Sequence, residues 1–335
     1  FSYVDFDLTQ EDINLPNGFR FGMKNRNLYF NTSYKGFLPN NWTILTGLSF
    51  TNDHSNMKIE TADVIDNENS AHFKVKLKKN VNSRLKFNVG AEYFITDFTE
   101  DYQSPAIGNF TTGFTNNIFG MFAEADIFFS KKVASKIGVR VEHSELLNEF
   151  TVSPRISLAY KASKNGQFSL AYGQFYQNPK KDYLKFSTNF KAENTAHFIA
   201  NYQYVKDKKI FRVEAYYKDY KDLVKYDTDF SSPTSNYASN GFGYAKGLDV
   251  FWRDNKTFKN TDYWVSYSLL DTKRNYKNYT KSAAPSFVAK HNLSVVVKHF
   301  VTEWKSQFGL SYNYASGRNY TDPNLGGFLN QKTKS

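Results

Sequence analysis

The chain has 335 residues, with 43 basic and 32 acidic side chains and a formal net charge of +11. It contains no cysteine, which excludes disulfides, thiolate metal sites and cysteine catalysis together. The basic residues are spread along the whole length in alternation with apolar ones, not gathered on one element or tail, and this excludes a nucleic-acid partner.

Mean hydropathy is −0.60, and no run approaches the roughly 18 consecutive apolar residues of a membrane-crossing helix. Aromatic residues nonetheless make up 18% of the chain, carried by 32 Phe and 24 Tyr. That is more than an ordinary core absorbs. An antiparallel β-barrel reconciles the two facts. Only alternate residues of its strands face lipid, and its aromatic rings collect in girdles at the two membrane interfaces.

Period-2 alternation predicts fourteen strands, near 24–36, 41–54, 69–79, 83–98, 115–130, 133–147, 150–161, 166–176, 192–205, 208–227, 238–253, 261–274, 288–299 and 304–317. Successive side chains of a strand point to opposite faces, so each segment has one greasy and one polar face. Leu85, Phe87, Val89, Ala91 and Tyr93 alternate with Lys86, Asn88, Gly90 and Glu92. Ile137, Val139 and Val141 alternate with Lys136, Gly138, Arg140 and Glu142. A charge placed at Val89 or Val139 is expected to harm assembly, whereas truncation of Arg140 is expected to be tolerated.

Connections alternate in length. Short turns are predicted at Leu38–Asn40, Asn80–Asn82, Lys131–Lys132, Ser163–Asn165, Lys206–Lys208 and Val301–Glu303, and long polar loops near 55–68, 99–114, 177–191, 228–237, 275–287 and from 318 onward. The link Asn148–Glu149 breaks the alternation by being short. Sorting short turns to one rim and long loops to the other is the plan of outer-membrane barrels. Phe37, Trp42, Phe129, Tyr160, Phe168, Trp252, Tyr263, Phe300 and Trp304 fall beside the short turns, and Tyr93, Tyr172, Tyr217 and Tyr312 toward the long loops. These positions predict the two girdles. A secreted β-sandwich, in which the same aromatics form a core, is the competing reading.

Several pieces carry a family likeness. They are Ala123-Glu124-Ala125, Gly138-Val139-Arg140, the run Ser153-Pro154-Arg155-Ile156-Ser157-Leu158-Ala159-Tyr160, and the run from Ser169 to Pro179. Phe211–Lys218, Gly247-Leu248-Asp249-Val250 and Tyr314–Arg318 continue it. In order and spacing they resemble the barrel of TonB-dependent outer-membrane receptors, over most of the chain from about residue 24 on. Within this pattern Pro154, lacking a ladder N–H, is read as a strand start or bulge. Arg155 is read as pointing into the lumen, with Ile156 and Leu158 facing lipid.

The resemblance implies a plugged barrel of about 22 strands. The chain begins at Phe1 with neither an initiator Met nor a signal peptide, so residues 1–335 are expected to be a fragment of one such barrel domain without its plug. The implied function is active import of a scarce nutrient, such as a ferric chelate, cobalamin or an oligosaccharide, across the outer membrane of a Gram-negative bacterium. The implied partners are outer-membrane lipid, the energy-coupling TonB complex through the missing plug segment, the nutrient, and an optional surface lipoprotein. A passive channel or surface-binding barrel is the alternative.

No catalytic, cofactor-binding or metal-binding residue stands out, no cofactor is expected, and an enzyme is the weakest class. His54, His72, His143, His197, His291 and His299 lack metal-ligand spacing. No nucleophile elbow occurs, and Gly241–Gly247 has the wrong spacing for a dinucleotide loop. Asp97, Glu100 and Asp101, and separately Asp63, Asp66 and Glu68, could hold calcium or a cationic ligand, although solvated loop acids are the preferred reading. Tyr102, Phe110, Tyr183, Phe186, Phe190, Tyr226, Phe230, Tyr237, Tyr276 and Tyr279 either stack on a ligand or pack the loops together. Ligand-binding residues are therefore left unassigned.

Overall fold

A computed structural model describes all residues except 13–14, 106–107, 323, 326 and 335. Its strands, in chain order, are β1 (Ser2–Asp12), β2 (Leu15–Leu38), β3 (Trp42–Ile59), β4 (Ala62–Asn80) and β5 (Leu85–Ser104). There follow β6 (Gly108–Phe128), β7 (Val133–Ser144), β8 (Glu149–Lys161) and β9 (Gly166–Gln177). A single helical turn, α1 (Lys181–Leu184), precedes β10 (Glu193–Lys206), β11 (Lys209–Tyr226), β12 (Tyr237–Asp254), β13 (Thr261–Asn275), β14 (His291–Val301) and β15 (Ser306–Ala315). These fifteen strands form one sheet in sequence order, and a small hairpin of β16 (Asn319–Tyr320) with β17 (Gln331–Lys332) stands apart. Every neighbour pair is antiparallel.

The large sheet holds one strand more than alternation predicted, and β16 and β17 fall within the loop expected from 318 onward. β1 carries Val4, Phe6 and Leu8 on one face, with Asp5 and Asp7 interleaved, and lies before the first predicted segment. Phe6 packs on Phe21 of β2 with ring centroids 5.8 Å apart. Two predicted loops are also strand. Residues 55–68 belong to β3 and β4, joined through Glu60-Thr61, and residues 99–104 and 108–114 continue β5 and β6. The polarity that marked them as loops is a property of both their faces, because these hairpins rise beyond the apolar band.

The band has a sharp upper edge. On β5 the outer positions Phe87, Val89, Ala91, Tyr93 and Ile95 give way to Asp97, which accepts a bond of 2.8 Å from the Thr115 hydroxyl. Beside it, Asn52 donates to Asn69 at 2.7 Å, and His54 meets Asn67 at 2.6 Å. From Phe87 to Ile95 is eight steps, or about 27 Å of strand and ~20 Å of height at a tilt near 40°. That is close to the height of a barrel's lipid-facing belt.

Aromatic rows run across this outer face. Phe168, Tyr202, Phe211 and Trp252 form a row near the short turns, with centroids 4.6, 6.4 and 6.1 Å apart. Tyr172, Phe198 and Tyr217 form a second, at 5.0 and 6.4 Å. Trp42 receives Lys79 at 5.1 Å. Phe37 and Phe300, predicted for the girdle, have the parity of the polar face instead, sharing it with Lys35 and Lys298.

Pro154 is a correction of detail. It lies inside β8, opposite Val139, with no bulge. The β8–β9 ladder starts only at Arg155, so the N–H that proline lacks falls where pairing with β9 has stopped. In the three-residue connection after β2, Asn40 and Asn41 both take positive φ, 57° and 62°, as the tight turn closed by the Trp42 N–H on the Pro39 carbonyl requires.

The sheet is curved. Lys181 of α1 reaches Glu68 on β4 at 3.1 Å, while the carbonyl of Asp182 accepts the Ser231 hydroxyl, beyond β11, at 2.9 Å. Strands seven positions apart would be separated by about 34 Å in a flat sheet, far more than two consecutive residues span. The polar face is therefore concave. Edge strands β1 and β15 do not pair with each other, so the barrel wall is open between them. No helix among the described residues is long and apolar enough to cross a membrane, which does not bear on crossing by strands.

Candidate functional site

Two parts of the concave face bear chemistry. The first lies at the long-loop end, where residues 178–192 fold inward across the wall. Tyr183, Leu184 and Phe190 are buried with Val224 and pack against Phe114, Leu146, Leu147, Tyr226 and Tyr237. Beneath them Phe98 is almost fully buried, with Phe114 at 5.7 Å and Lys181 at 4.7 Å from its ring. Burial raises the Tyr183 phenol well above its ordinary range, so it stays neutral.

Two ion pairs pin this segment to the wall, Lys181 with Glu68 and Lys185 with Glu100 at 2.6 Å. Of the two carboxylate groups that are separate in sequence, Asp66, Glu68 and Glu100 come together on the concave face, whereas Asp97 and Asp101 bond Thr115 and Thr111 on the other face. Asp66 and Glu100 face each other across the β4–β5 ladder. No group of three metal-binding side chains occurs among the described residues. Lysines from the loop occupy the place a cation would take.

Burial pushes the Asp66 carboxyl up to about 6, the Glu100 carboxylate adds to the shift, and Lys181 and Lys185 oppose it. An acid whose pKa is higher folded than unfolded costs stability as pH rises through that interval, here from 3.8 to about 6. Asp66→Asn is therefore expected to slow amide exchange in residues 181–185 near neutral pH by roughly 1 kcal/mol, after allowance for solvent screening. The gain should vanish near pH 4, where Asp66 is already protonated. Equal protection at both pH values would refute the assignment.

Most aromatics singled out in sequence pack on one another. Tyr102 stacks on Phe110 at 4.9 Å, and Tyr237 meets Tyr183, Phe190 and Tyr226. Tyr276 and Tyr279 lie edge to face at 4.9 Å, with Phe328 completing the group. Phe230 is 70% exposed and stands clear.

Sequence reading missed the charge among these rings. Arg274 sits over Tyr220 at 4.5 Å, with Tyr276 at 5.7 Å and Phe287 at 6.0 Å. Its Nε is buried without a hydrogen-bond partner, and it forms no ion pair among the described residues. Glu193 is near enough to feel it, but that carboxylate accepts the Val224 N–H, and burial raises its pKa. Interleaving of cations with aromatics over Arg274–Tyr279 was the available signal.

The second part is the mid-wall. Glu92 is nearly buried between Lys74 and Arg140, and Arg140 also holds Glu142 at 2.7 Å. Lys136 spans Glu124 at 3.7 Å and Asp126 at 3.3 Å. Arg140 is thus a structural tie. Its truncation, expected from the sequence to leave assembly intact, in this geometry takes a partner from both Glu92 and Glu142.

The chain that folds into this up-and-down sheet also matches a known family model in its sequence. The model for TonB-dependent receptor-like β-barrels covers residues 2–335. The chain belongs to the TonB-dependent receptor β-barrel family. Among solved structures, the alcaligin outer-membrane receptor of Bordetella pertussis superposes with a TM-score of 0.69 at 11% identity, over 89% of this chain and 55% of that one. The ferric-catecholate import receptor Fiu of Escherichia coli gives 0.68 at 10% identity, over 93% and 56%. The ferric yersiniabactin uptake receptor of Yersinia pestis gives 0.68 at 10%, over 91% and 51%. The chain thus spans about half the length of these TonB-dependent receptors. No protein of curated function matches it.

Proposed function

We propose that this chain is barrel wall from an outer-membrane active importer, which captures a scarce nutrient at its extracellular mouth and passes it through a plugged lumen powered by the TonB complex. The Arg274 cage carries the reading of where capture occurs. A guanidinium ringed by three aromatics, with no paired acid, suits a ligand that is both anionic and flat. Of the three nutrient classes, a ferric chelate fits that chemistry better than a neutral oligosaccharide or cobalamin. Three solved relatives are receptors for alcaligin, ferric catecholates and ferric yersiniabactin, which agrees with it.

The test is uptake by cells lacking the gene and carrying the full-length protein or its Arg274→Ala variant. Labelled ferric chelates, cobalamin and an oligosaccharide would be supplied with and without a protonophore. Ferric-chelate uptake is expected to be abolished by the protonophore and to fall about tenfold in the variant, the loss of one charge-assisted contact. Uptake that ignores the protonophore would make the barrel a passive channel.

A further inference from the structure

The mid-wall leaves two cations over. Lys74 and Arg140 are taken up by Glu92 and Glu142, and Lys136 by Glu124 and Asp126. Lys76 and Arg155 have no carboxylate partner among the described residues; Arg155 rests on the Phe175 ring at 5.1 Å. Both line one polar cleft of about 240 Å³ on the concave face. Its floor is low because Gly138, opposite both Glu124 and Arg155 in the ladders, has no side chain. The cleft holds Lys74, Lys76, Arg140 and Arg155 against Glu92 and Glu124. The lining alone carries two positive charges in excess, and the excess is one when the adjoining Lys136, Asp126 and Glu142 are counted; the Glu124 carboxylate is turned toward Lys136.

Lys76 is half-buried and Arg155 exposed on this face, and a carboxylate accepting from both would supply the counter-charge that the wall does not. We infer that this cleft is an oxyanion site, taking a carboxylate between Lys76 and Arg155. The carboxylate comes either from a polypeptide segment inside the lumen or from a small solute passing through it. The site lies in the mid-wall, away from the Arg274 cage, and does not depend on the identity of the nutrient.

Carbodiimide coupling of the full-length protein, read by peptide mass spectrometry, tests this. It joins Lys76 Nζ to any carboxylate held against it. An amide from Lys76 to an Asp or Glu outside the wall strands is expected if the source is polypeptide. With millimolar citrate as probe, a citrate adduct on Lys76 is expected if the source is a small solute. In either case Arg155→Gln should lower the yield about tenfold, since it removes one of two charged contacts. Coupling of Lys76 only to Glu92 or Glu124, no coupling at all, or a yield indifferent to Arg155→Gln would each overturn the site.

Discussion

Val139→Lys is expected to cost about 2–4 kcal/mol and to depress assembly into outer membranes, because an ammonium at mid-band on the convex face cannot be solvated by lipid. Val139 lies on β7, level with Ala123 on β6 and Pro154 on β8, inside an outer surface whose neighbours Ile137 and Val141 are also exposed and apolar. The control is Ser266→Lys on β13. Ser266 pairs with Phe251 and lines the concave cleft that holds Glu214 and Asp249, so its lysine would find both water and counter-charge. Heat-modifiable mobility on gels, with surface accessibility in cells, reads assembly for both. Equal behaviour of the two variants would mean that the faces are assigned wrongly.

Arg140→Ala and Glu92→Ala are each expected to destabilise the folded protein by about 2–4 kcal/mol, because each leaves a nearly buried charge short of a partner. The Glu92 side chain is 7% exposed and that of Arg140 15%, with 2.8 Å between them. The double variant should cost less than the sum of the singles, by about 1.5 kcal/mol or more, since removing both leaves no orphan at their contact. Denaturant midpoints in detergent micelles would measure the cycle. Strict additivity would show that the pair is a crystal-clear contact in geometry but inert in energy.

Much of this protein was legible in one dimension. The two-residue period assigns Phe87, Val89 and Ala91 to one face and Asn88 and Glu92 to the other, and no tertiary information is needed for that. Turn placement followed as well, since Asn40 and Asn41 tolerate positive φ where a tight hairpin needs it. The reading faltered where polarity stood in for conformation. Residues 55–68, 99–104 and 108–114 are polar because those hairpins stand above the apolar band, with one face in water and the other against the charged segment that carries Lys181 and Lys185, not because they leave the sheet. Alternation marks a strand only where one side is greasy.

The candidate sites depended on curvature. Local sequence determined the strands, their order and which face each side chain takes, because those follow from backbone geometry and nearest-neighbour pairing. Only the bent sheet decided that Lys181 and Lys185 meet Glu68 and Glu100, and that Arg274 is caged by Tyr220 and Phe287. Such contacts join residues as many as 113 positions apart in the chain. They form across a concave face whose radius is set by the whole wall, and no local pattern records that radius.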